Sequence, residues 1–185
     1  MMRATELARV LLRQSLAAGG WVVDATVGNG HDTMWLAERV GPTGRVFGFD
    51  VQAVALAVAA ERVRGHKQVT LIHAGHERMA ECLPLEAKGR LYGVMFNLGY
   101  LPGAAKDIIT RTETTLAALQ QAVDFLAVAG TVTVVVYPGH AGGAEEAEAV
   151  RAFARARPEG FAASQHRRIN TVGAAPELIV IERVR

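Results

Sequence analysis

Hydrophobic and polar residues alternate with two different periods along the whole chain. Short runs rich in β-branched and aromatic residues predict buried strands, whereas longer segments with apolar residues three or four apart predict amphipathic helices. Thr110 and Glu113 also have the spacing of a capping box, which marks the start of a helix. The predicted strands are 21–25, 45–50, 69–73, 91–97, 131–137, 161–169 and 177–183. The predicted helices are 4–18, 31–40, 53–64, 76–83, 113–128 and 143–156.

Strands and helices that take turns along a chain predict an α/β fold, in which a mostly parallel sheet carries helices on both faces. The segment from Thr131 to Tyr137 is almost purely β-branched, as a strand buried on both faces should be. The last two strands have no helix between them, so we expect the final strand to be antiparallel. The sequence therefore predicts a Rossmann-like, seven-stranded sheet. It contains no repeat or linker-like segment, which favours one domain over residues 1–185.

Composition places the chain among globular proteins, since 50% of its 185 residues are hydrophobic and 21% are charged. Cys82 is the single cysteine, so no disulfide can form within the chain. The first residues lack the apolar run of a signal peptide. The longest apolar stretch, Phe125 to Tyr137, is shorter than the roughly 20 residues that a membrane span needs. We therefore expect a soluble, cytoplasmic protein with no membrane partner.

The positive charge of the chain comes almost entirely from arginine, because only three of its 20 basic residues are lysines. The guanidinium group suits bidentate contacts with phosphate. Clustering of arginines near both ends of the sequence favours an anionic partner such as RNA, although a solvated helix face is the simpler explanation for any single arginine. The two clusters are Arg3, Arg9 and Arg13, and Arg151, Arg155, Arg157, Arg167 and Arg168.

The loop after the first predicted strand carries the clearest chemical signal. In open parallel sheets, ligands bind beyond the carboxyl ends of the strands. Gly28 and Gly30 allow a tight turn there and leave no Cβ between the backbone and a ligand. The next helix begins near Asp32 and points its N-terminal amides at that ligand. Asp50 ends the second strand, 22 residues after Gly28, where a carboxylate can accept the hydroxyl hydrogens of a ribose. Together these residues predict a nucleoside pocket.

The same loop distinguishes between nucleoside cofactors. A dinucleotide fingerprint needs a third glycine at position 33, which Thr33 occupies. Asp24 either orients the loop or meets an ammonium group, such as the one on the methionine end of S-adenosylmethionine, and it would repel a pyrophosphate. The pattern therefore favours S-adenosylmethionine as the cofactor, with a nicotinamide-dependent oxidoreductase as the alternative.

The end of the fourth predicted strand suggests which group accepts the methyl. Asn97 and Tyr100 have the spacing of the Asn-Pro-Pro-Tyr motif of amino methyltransferases. The amide oxygen of Asn97 can accept a hydrogen bond from an acceptor amine and aim its lone pair, and the ring of Tyr100 can stack on a base. The alternative is a turn at the strand end in which Asn97 bonds the local backbone and Tyr100 is packed. An alkylamine has a pKa of about 10 and must lose a proton before it attacks. Asp107 and His140 are candidate proton acceptors, and a structural role is the alternative for each.

Other common chemistries lack their residue patterns. A single cysteine and scattered histidines provide no metal-binding cluster, so we expect no metal. Ser15 and Ser164 are the only serines, and neither lies in the Gly-x-Ser-x-Gly motif of a serine hydrolase. The lysines follow no Walker glycine pattern, which argues against a P-loop enzyme.

The chain carries five strings that together are typical of a known family. They are Asp-Ala-Thr-Val-Gly-Asn-Gly-His-Asp-Thr at 24–33, Gly-Phe-Asp-Val-Gln at 48–52, Phe-Asn-Leu-Gly-Tyr-Leu-Pro-Gly at 96–103, Thr-Arg-Thr-Glu-Thr-Thr at 110–115 and Tyr-Pro-Gly-His at 137–140. On these strings the chain resembles, over nearly its whole length, the small bacterial "putative rRNA methylase" family. The resemblance implies a class I methyltransferase that uses S-adenosylmethionine. Despite the family's older name, it implies methylation of the amine of 5-aminomethyl-2-thiouridine at the wobble position of tRNA.

The resemblance also implies roles for individual residues. It adds Asn29, Asp32, Gln52 and His76 to the lining of the cofactor site, and it implies that Asn97 and Tyr100 face the acceptor. The full predicted set of cofactor-binding residues is Asp24, Thr26, Gly28, Asn29, Gly30, Asp32, Asp50, Gln52 and His76.

The chain departs from the family pattern in two loops. Relatives continue the fourth-strand loop with Gly-Gly-Asp-Lys, whereas Gly103 is followed here by Ala-Ala-Lys-Asp, so an acidic side chain has moved or vanished. Relatives often have Asn-Asn-Pro-Pro in the C-terminal loop, of which Asn170 and Pro176 remain. If that loop touches tRNA, the preferred substrate could differ. A ribosomal RNA or small-molecule methyltransferase and a catalytically silent RNA-binding protein remain alternatives, and the small surface of one domain allows a homodimer.

Overall fold

The computed structural model describes residues 2–99, 111–139, 141–170 and 173–185. Its strands are β1 (Trp21–Asp24), β2 (Arg45–Asp50), β3 (Val69–His73), β4 (Leu91–Asn97), β5 (Leu126–Val136), β6 (Phe161–His166) and β7 (Glu177–Arg183). Its α-helices are α1 (Ala4–Leu12), α2 (His31–Val40), α3 (Ala53–Arg62), α4 (Met79–Cys82), α5 (Thr112–Phe125) and α6 (Gly143–Arg155). Short 3₁₀ turns span His76–Arg78 and Leu85–Ala87.

The strands form one sheet in the order β3-β2-β1-β4-β5-β7-β6. β1 pairs in parallel with β2 and β4, and the parallel pairing continues to β3 on one side and β5 on the other. β7 runs antiparallel to both of its neighbours, β5 and β6. The prediction of a Rossmann-like, mostly parallel seven-stranded sheet with an antiparallel last strand is therefore confirmed.

Helices cover both faces of this sheet. α1 and α2 bury Leu12 and Leu36 against one face, and α5 and α6 bury Leu119 and Val150 against the other. Val134 and Val135 of β5 point into these two different clusters. Because both of its faces are buried, β5 shows a β-branched run instead of alternating polar and apolar residues.

The first helix is shorter than the sequence predicts. The prediction of a helix over 4–18 is wrong beyond Leu12, where the backbone changes to tighter turns in which Gln14 and Ser15 donate to the third residue before them. The hydroxyl of Ser15 lies 2.5 Å from the hydroxyl of Thr131 in β5. This contact ties the segment after α1 to the sheet.

The fifth strand begins earlier than the sequence predicts, at Leu126 rather than at 131. Leu126 pairs with Leu91 of β4, and Ala129 then adopts a left-handed φ of 65° before regular pairing resumes at Thr131. A bulge of this kind interrupts the period-two pattern of a strand, so the alternation of residues could not locate the start of β5.

Several other element ends differ from the predictions. The predicted helix 113–128 ends at Phe125, because residues 126–128 belong to β5, and the elements predicted over 21–25, 53–64, 131–137 and 143–156 end one or two residues early. The segment predicted as a helix over 76–83 forms a 3₁₀ turn and one α-helical turn, and β6 ends at His166 rather than at 169. α5 begins at Thr112 with Arg111 as its N-cap residue, and Thr110 of the predicted capping box lies outside the described residues. None of the helices in the described ranges combines the length and the apolar composition that crossing a bilayer would require.

The loop before α2 packs unusually closely on α3. Gly30 has a left-handed φ of 78°, and a Cβ at this position would lie 2.8 Å from the Cβ of Ala59 and 2.9 Å from its Cα. Such separations are well inside the usual contact distance of two carbon atoms, about 3.5–4.0 Å. Gly30 therefore meets two requirements at once, a positive φ and the absence of a side chain.

We expect Gly30→Ala to destabilise the protein more than Gly65→Ala does. Both glycines have a positive φ, but a Cβ at Gly65 would meet nothing within 4 Å. Each substitution should cost about 1–2 kcal/mol for the left-handed backbone, and Gly30→Ala should cost a further ~1–3 kcal/mol for the collision with Ala59. Urea unfolding of the two variants measures the difference, and equal losses would contradict the close packing.

Candidate active site

The candidate site lies at the carboxyl ends of β1 and β4. The order of the strands reverses here, because the chain continues from β1 to β2 on one side and reaches β4 later on the other side. Such switch points open a crevice in which α/β proteins bind ligands. Asp24 ends β1, Asp50 ends β2 and Asn97 ends β4, so three predicted site residues meet at this edge.

Residues 25–30 connect β1 to α2 and are called the glycine loop because they include Gly28 and Gly30. The carboxylate of Asp50 fixes this loop. Its Oδ2 accepts a hydrogen bond of 2.8 Å from the backbone N–H of Gly28, and its Oδ1 accepts one of 2.8 Å from the backbone N–H of Gln52. The side chain is partly exposed. A carboxylate has about four lone-pair positions, so two bonds leave capacity for the hydroxyl groups of a ribose.

The other side of the glycine loop is held by α3. The Nε of Arg62 donates a hydrogen bond of 2.7 Å to the carbonyl oxygen of Asn29. Within the loop, the backbone N–H of Gly30 donates to the carbonyl oxygen of Val27 at 2.8 Å, which closes a tight turn. The loop is therefore fixed from β2 and from α3 before any ligand arrives.

Asp24 lies buried beneath the loop, with 1% of its surface exposed. Its Oδ1 accepts a hydrogen bond from the backbone N–H of Thr26 at 3.1 Å, and its Oδ2 accepts one from the Thr33 hydroxyl at 2.6 Å. Burial raises the pKa of Asp24 to about 7, and the negative charge of Asp32 adds to this effect, while the bonds from Thr33 and Thr26 oppose it. These contacts support the interpretation that Asp24 orients the loop. A contact with an ammonium group stays a prediction.

The raised pKa of Asp24 predicts how stability depends on pH. A carboxyl group whose pKa is higher in the folded state stabilises the fold at pH values below its unfolded pKa, and this contribution is lost as the pH rises through about 7. Between pH 3.8, the ordinary pKa of the group, and its raised pKa of about 7, the wild type should lose about 1.4 kcal/mol of unfolding free energy per pH unit relative to Asp24→Asn. Urea unfolding of both proteins between about pH 4 and 8 measures the difference, and parallel curves would contradict the raised pKa.

His76 lies behind the same strand end. Its Nδ1 is 3.1 Å from the carbonyl oxygen of Ala25, and its ring packs edge-on against Phe96 with 5.7 Å between the ring centres. A carbonyl oxygen only accepts, so Nδ1 carries the proton and Nε2 is an acceptor in the neutral ring. Burial lowers the pKa of His76, which favours this neutral form. The Nε2 atom is buried and has no hydrogen-bond partner among the described residues.

Asp32 lies in the first turn of α2 and pairs with α1. Its Oδ1 is 2.7 Å from the Nε of Arg9, and the guanidinium of Arg9 lies over the ring of Trp35, 5.8 Å from its centre. The side chain of Asp32 is 14% exposed. The negative charge is favourable at the N-terminus of a helix. The pair attaches α1 to the rim of the site.

Asn97 presents an exposed side chain beside the glycine loop. Its backbone N–H donates a hydrogen bond of 2.8 Å to the hydroxyl oxygen of Thr26, so the ends of β1 and β4 are linked. The hydroxyl of Tyr137 donates a hydrogen bond of 2.8 Å to the Oδ1 of Asn97. Burial raises the pKa of Tyr137, assisted by the charge of Asp32, so the phenol remains a donor at neutral pH. This bond fixes the orientation of the Asn97 amide and leaves one lone pair of Oδ1 available.

The structure brings most of the predicted site residues to one crevice. The exceptions are Tyr100, Asp107 and His140, which lie outside the described residues. Sequence reasoning missed the roles of Thr33, Arg62 and Tyr137. Among the residues described, no group of three or more His, Cys, Asp or Glu side chains is arranged to hold a metal ion.

Comparison with known proteins gives the chain its relatives. A family model described as "Putative rRNA methylase" matches residues 46–182, well over half of the chain. A chloroplastic tRNA (mnm5s2U34)-methyltransferase of Arabidopsis thaliana is 41% identical over 167 residues, which are 84% of this chain and 60% of that protein. The chain therefore spans less than two thirds of the length of this curated relative.

Two crystal structures share the fold over nearly their whole length. A "putative rRNA-methylase" from Clostridium thermocellum superposes with a TM-score of 0.93 at 37% identity, covering 99% of this chain and 98% of that one. A "putative methyltransferase" from Streptococcus mutans, solved in complex with SAH, superposes with a TM-score of 0.87 at 31% identity and covers 99% of both chains. On the strength of the family model and these structures, the chain belongs to the rRNA methylase family.

Proposed function

We propose that this protein is an S-adenosylmethionine-dependent N-methyltransferase that acts on RNA and methylates the amine of 5-aminomethyl-2-thiouridine at the wobble position of tRNA. The observation that carries the proposal is the meeting of two groups at one edge of the sheet. Asp50 holds the glycine loop there, and Asn97 lies beside it with its backbone bonded to Thr26 and its side-chain amide bonded to Tyr137. Membership of the family supports methyl transfer to RNA. The name of the Arabidopsis relative supports the choice of nucleoside.

The residues of the crevice fit an adenosyl cofactor. Asp50 is partly exposed and has lone pairs to accept ribose hydroxyls. The missing Cβ of Gly30 faces Ala59 of α3, so this glycine serves the packing of the loop rather than direct contact with a ligand. The buried Nε2 of His76 is an acceptor that lacks a partner among the described residues, as expected of a group that completes its bonding with a ligand. The Streptococcus mutans relative was solved with SAH, which is the cofactor after loss of its methyl group. When bound, S-adenosylmethionine supplies an electrophilic methyl group.

Asn97 orients the amine that accepts this methyl group. Displacement at a methyl carbon needs the attacking lone pair in line with the bond that breaks, so catalysis depends largely on position. Oδ1 of Asn97 can accept an N–H of the amine, because Tyr137 occupies only one of its two lone pairs. Tyr137 cannot take the proton that the amine loses, since its raised pKa keeps the phenol protonated. Asp107 and His140 remain the candidates for that step.

The proposal is tested by mass spectrometry of tRNA nucleosides from cells that lack this protein. We expect 5-aminomethyl-2-thiouridine to accumulate and its methylated form to disappear, with recovery when the wild-type chain is supplied. Normal tRNA nucleosides together with the loss of a methylated ribosomal RNA nucleoside would replace the tRNA proposal by the ribosomal alternative. Normal nucleosides in both RNAs would contradict the proposal altogether.

Replacing Asn97 should separate catalysis from cofactor binding. We expect Asn97→Ala to lower kcat by about a hundredfold, because the amine is no longer held in line. The affinity for S-adenosylmethionine should stay nearly the same, because the backbone N–H that bonds Thr26 is retained. Tyr137→Phe removes one hydrogen bond and should cause a smaller loss, about fivefold to tenfold.

Steady-state methylation of tRNA from the deficient cells measures kcat in these variants, and calorimetry measures the affinity for the cofactor. Full activity of Asn97→Ala would exclude it as the residue that positions the amine. A parallel loss of cofactor affinity would show instead that the substitution disturbs the glycine loop.

A further inference from the structure

A cleft of about 670 Å³ lies between the N-terminus of α1 and the end of the β6–β7 hairpin. Four basic side chains line it: Arg3 from the start of α1, and His166, Arg167 and Arg168 from the end of β6. No Asp or Glu is among the described residues that line it. We name this feature the basic cleft.

Five arginines of the two sequence clusters lie outside the basic cleft, and four of them, all except Arg13, contact other groups of the protein. Arg9 is paired with Asp32, Arg151 with Glu177, and Arg155 with Glu148. Arg157 lies over the ring of Phe153 and donates to its carbonyl oxygen. These four side chains are occupied by contacts within the protein.

The arginines of the basic cleft differ from Arg9, Arg151 and Arg155 in lacking an ion pair among the described residues. Arg3, Arg167 and Arg168 are exposed, and none of them forms a salt bridge with a carboxylate among the described residues. The side chain of Arg168 donates a hydrogen bond to the carbonyl oxygen of Met2, which brings the two walls of the cleft together. Several positive side chains that line one cleft favour an anionic ligand.

The basic cleft reaches the candidate active site through one side chain. Tyr137 lines the cleft, and its hydroxyl donates to the Oδ1 of Asn97. A ligand in the cleft therefore lies next to the residue that positions the methyl acceptor. Ala175 and Pro176, which precede β7, also line the cleft.

We infer that the basic cleft binds the phosphate backbone of the RNA substrate beside the nucleotide that is methylated. This inference rests on the proposed function, since it assigns a further surface to the same substrate. Guanidinium groups bind phosphate oxygens in bidentate fashion, and phosphate contacts set the register of a nucleic acid on a protein without reading its sequence. The basic cleft thus holds the strand while Asn97 orients one amine.

The test compares Arg167→Gln and Arg168→Gln with Arg64→Gln as a matched control. Arg64 follows α3, which packs beside β3 at the opposite edge of the sheet. Its side chain is exposed and pairs with Glu61. All three substitutions remove one positive charge. The probe is a fluorescein-labelled anticodon stem–loop RNA, and its Kd for the full chain is measured by anisotropy at several salt concentrations.

We expect each cleft variant to weaken RNA binding by about tenfold, the usual effect of losing a charged hydrogen bond. The slope of log Kd against log salt should fall by about 0.7 for each lost contact with a single strand. The affinity for S-adenosylmethionine should be unchanged in both. Arg64→Gln should bind RNA as the wild type does.

Unchanged affinity and salt slope in the cleft variants would overturn the inference, and so would an equal loss in Arg64→Gln, which would indicate a general effect of net charge. Failure of the proposed function gives a different result. In that case the wild type methylates neither tRNA nor ribosomal RNA, whatever the cleft variants do to binding.

Discussion

The hydrogen bonds from the backbone of Gly28 and Gln52 to Asp50 determine the shape of the candidate site. One carboxylate holds the loop after β1 and the start of α3 at the same point. Without these bonds the two N–H groups would face the crevice unpaired, which costs free energy in a partly buried position. The same oxygens remain accessible to a ribose. A single side chain therefore fixes the loop and offers itself to the nucleoside that the loop surrounds.

Near Asp50 the fold buries two polar side chains, Asp24 and His76, and burial of polar groups costs free energy. Asp24 is a buried carboxyl group, and burial together with the charge of Asp32 raises its pKa to about 7. Thr33 and Thr26 supply the hydrogen bonds that make this burial tolerable. His76 retains a buried acceptor with no partner among the described residues. Groups with incomplete bonding and shifted pKa values are concentrated at functional sites, and both of these groups lie at the end of β1.

Part of this arrangement can be predicted from the sequence, and the rest depends on contacts between distant segments. β1 to β4 and α2 are local patterns of hydrophobic residues, and Gly28, Gly30 and Asp50 have a spacing that the strand–loop–helix unit dictates. From the sequence, Thr33 is only the residue that replaces a third glycine, because its hydrogen bond to Asp24 depends on the turn of the loop. The partners Tyr137 and Asn97 are 40 residues apart, and Arg62 and Asn29 are 33 apart. No periodicity reports such pairs, nor does it distinguish the paired arginines from those in the basic cleft.

The most direct test of this account is a crystal structure of the protein with S-adenosylhomocysteine. The account predicts that both ribose hydroxyls lie within hydrogen-bond distance of Asp50, about 2.6–3.0 Å, while Gly28 and Gln52 keep their bonds to the same carboxylate. A structure in which the nucleoside lies elsewhere, or in which side chains fill the crevice above Gly28 and Gly30, would contradict it.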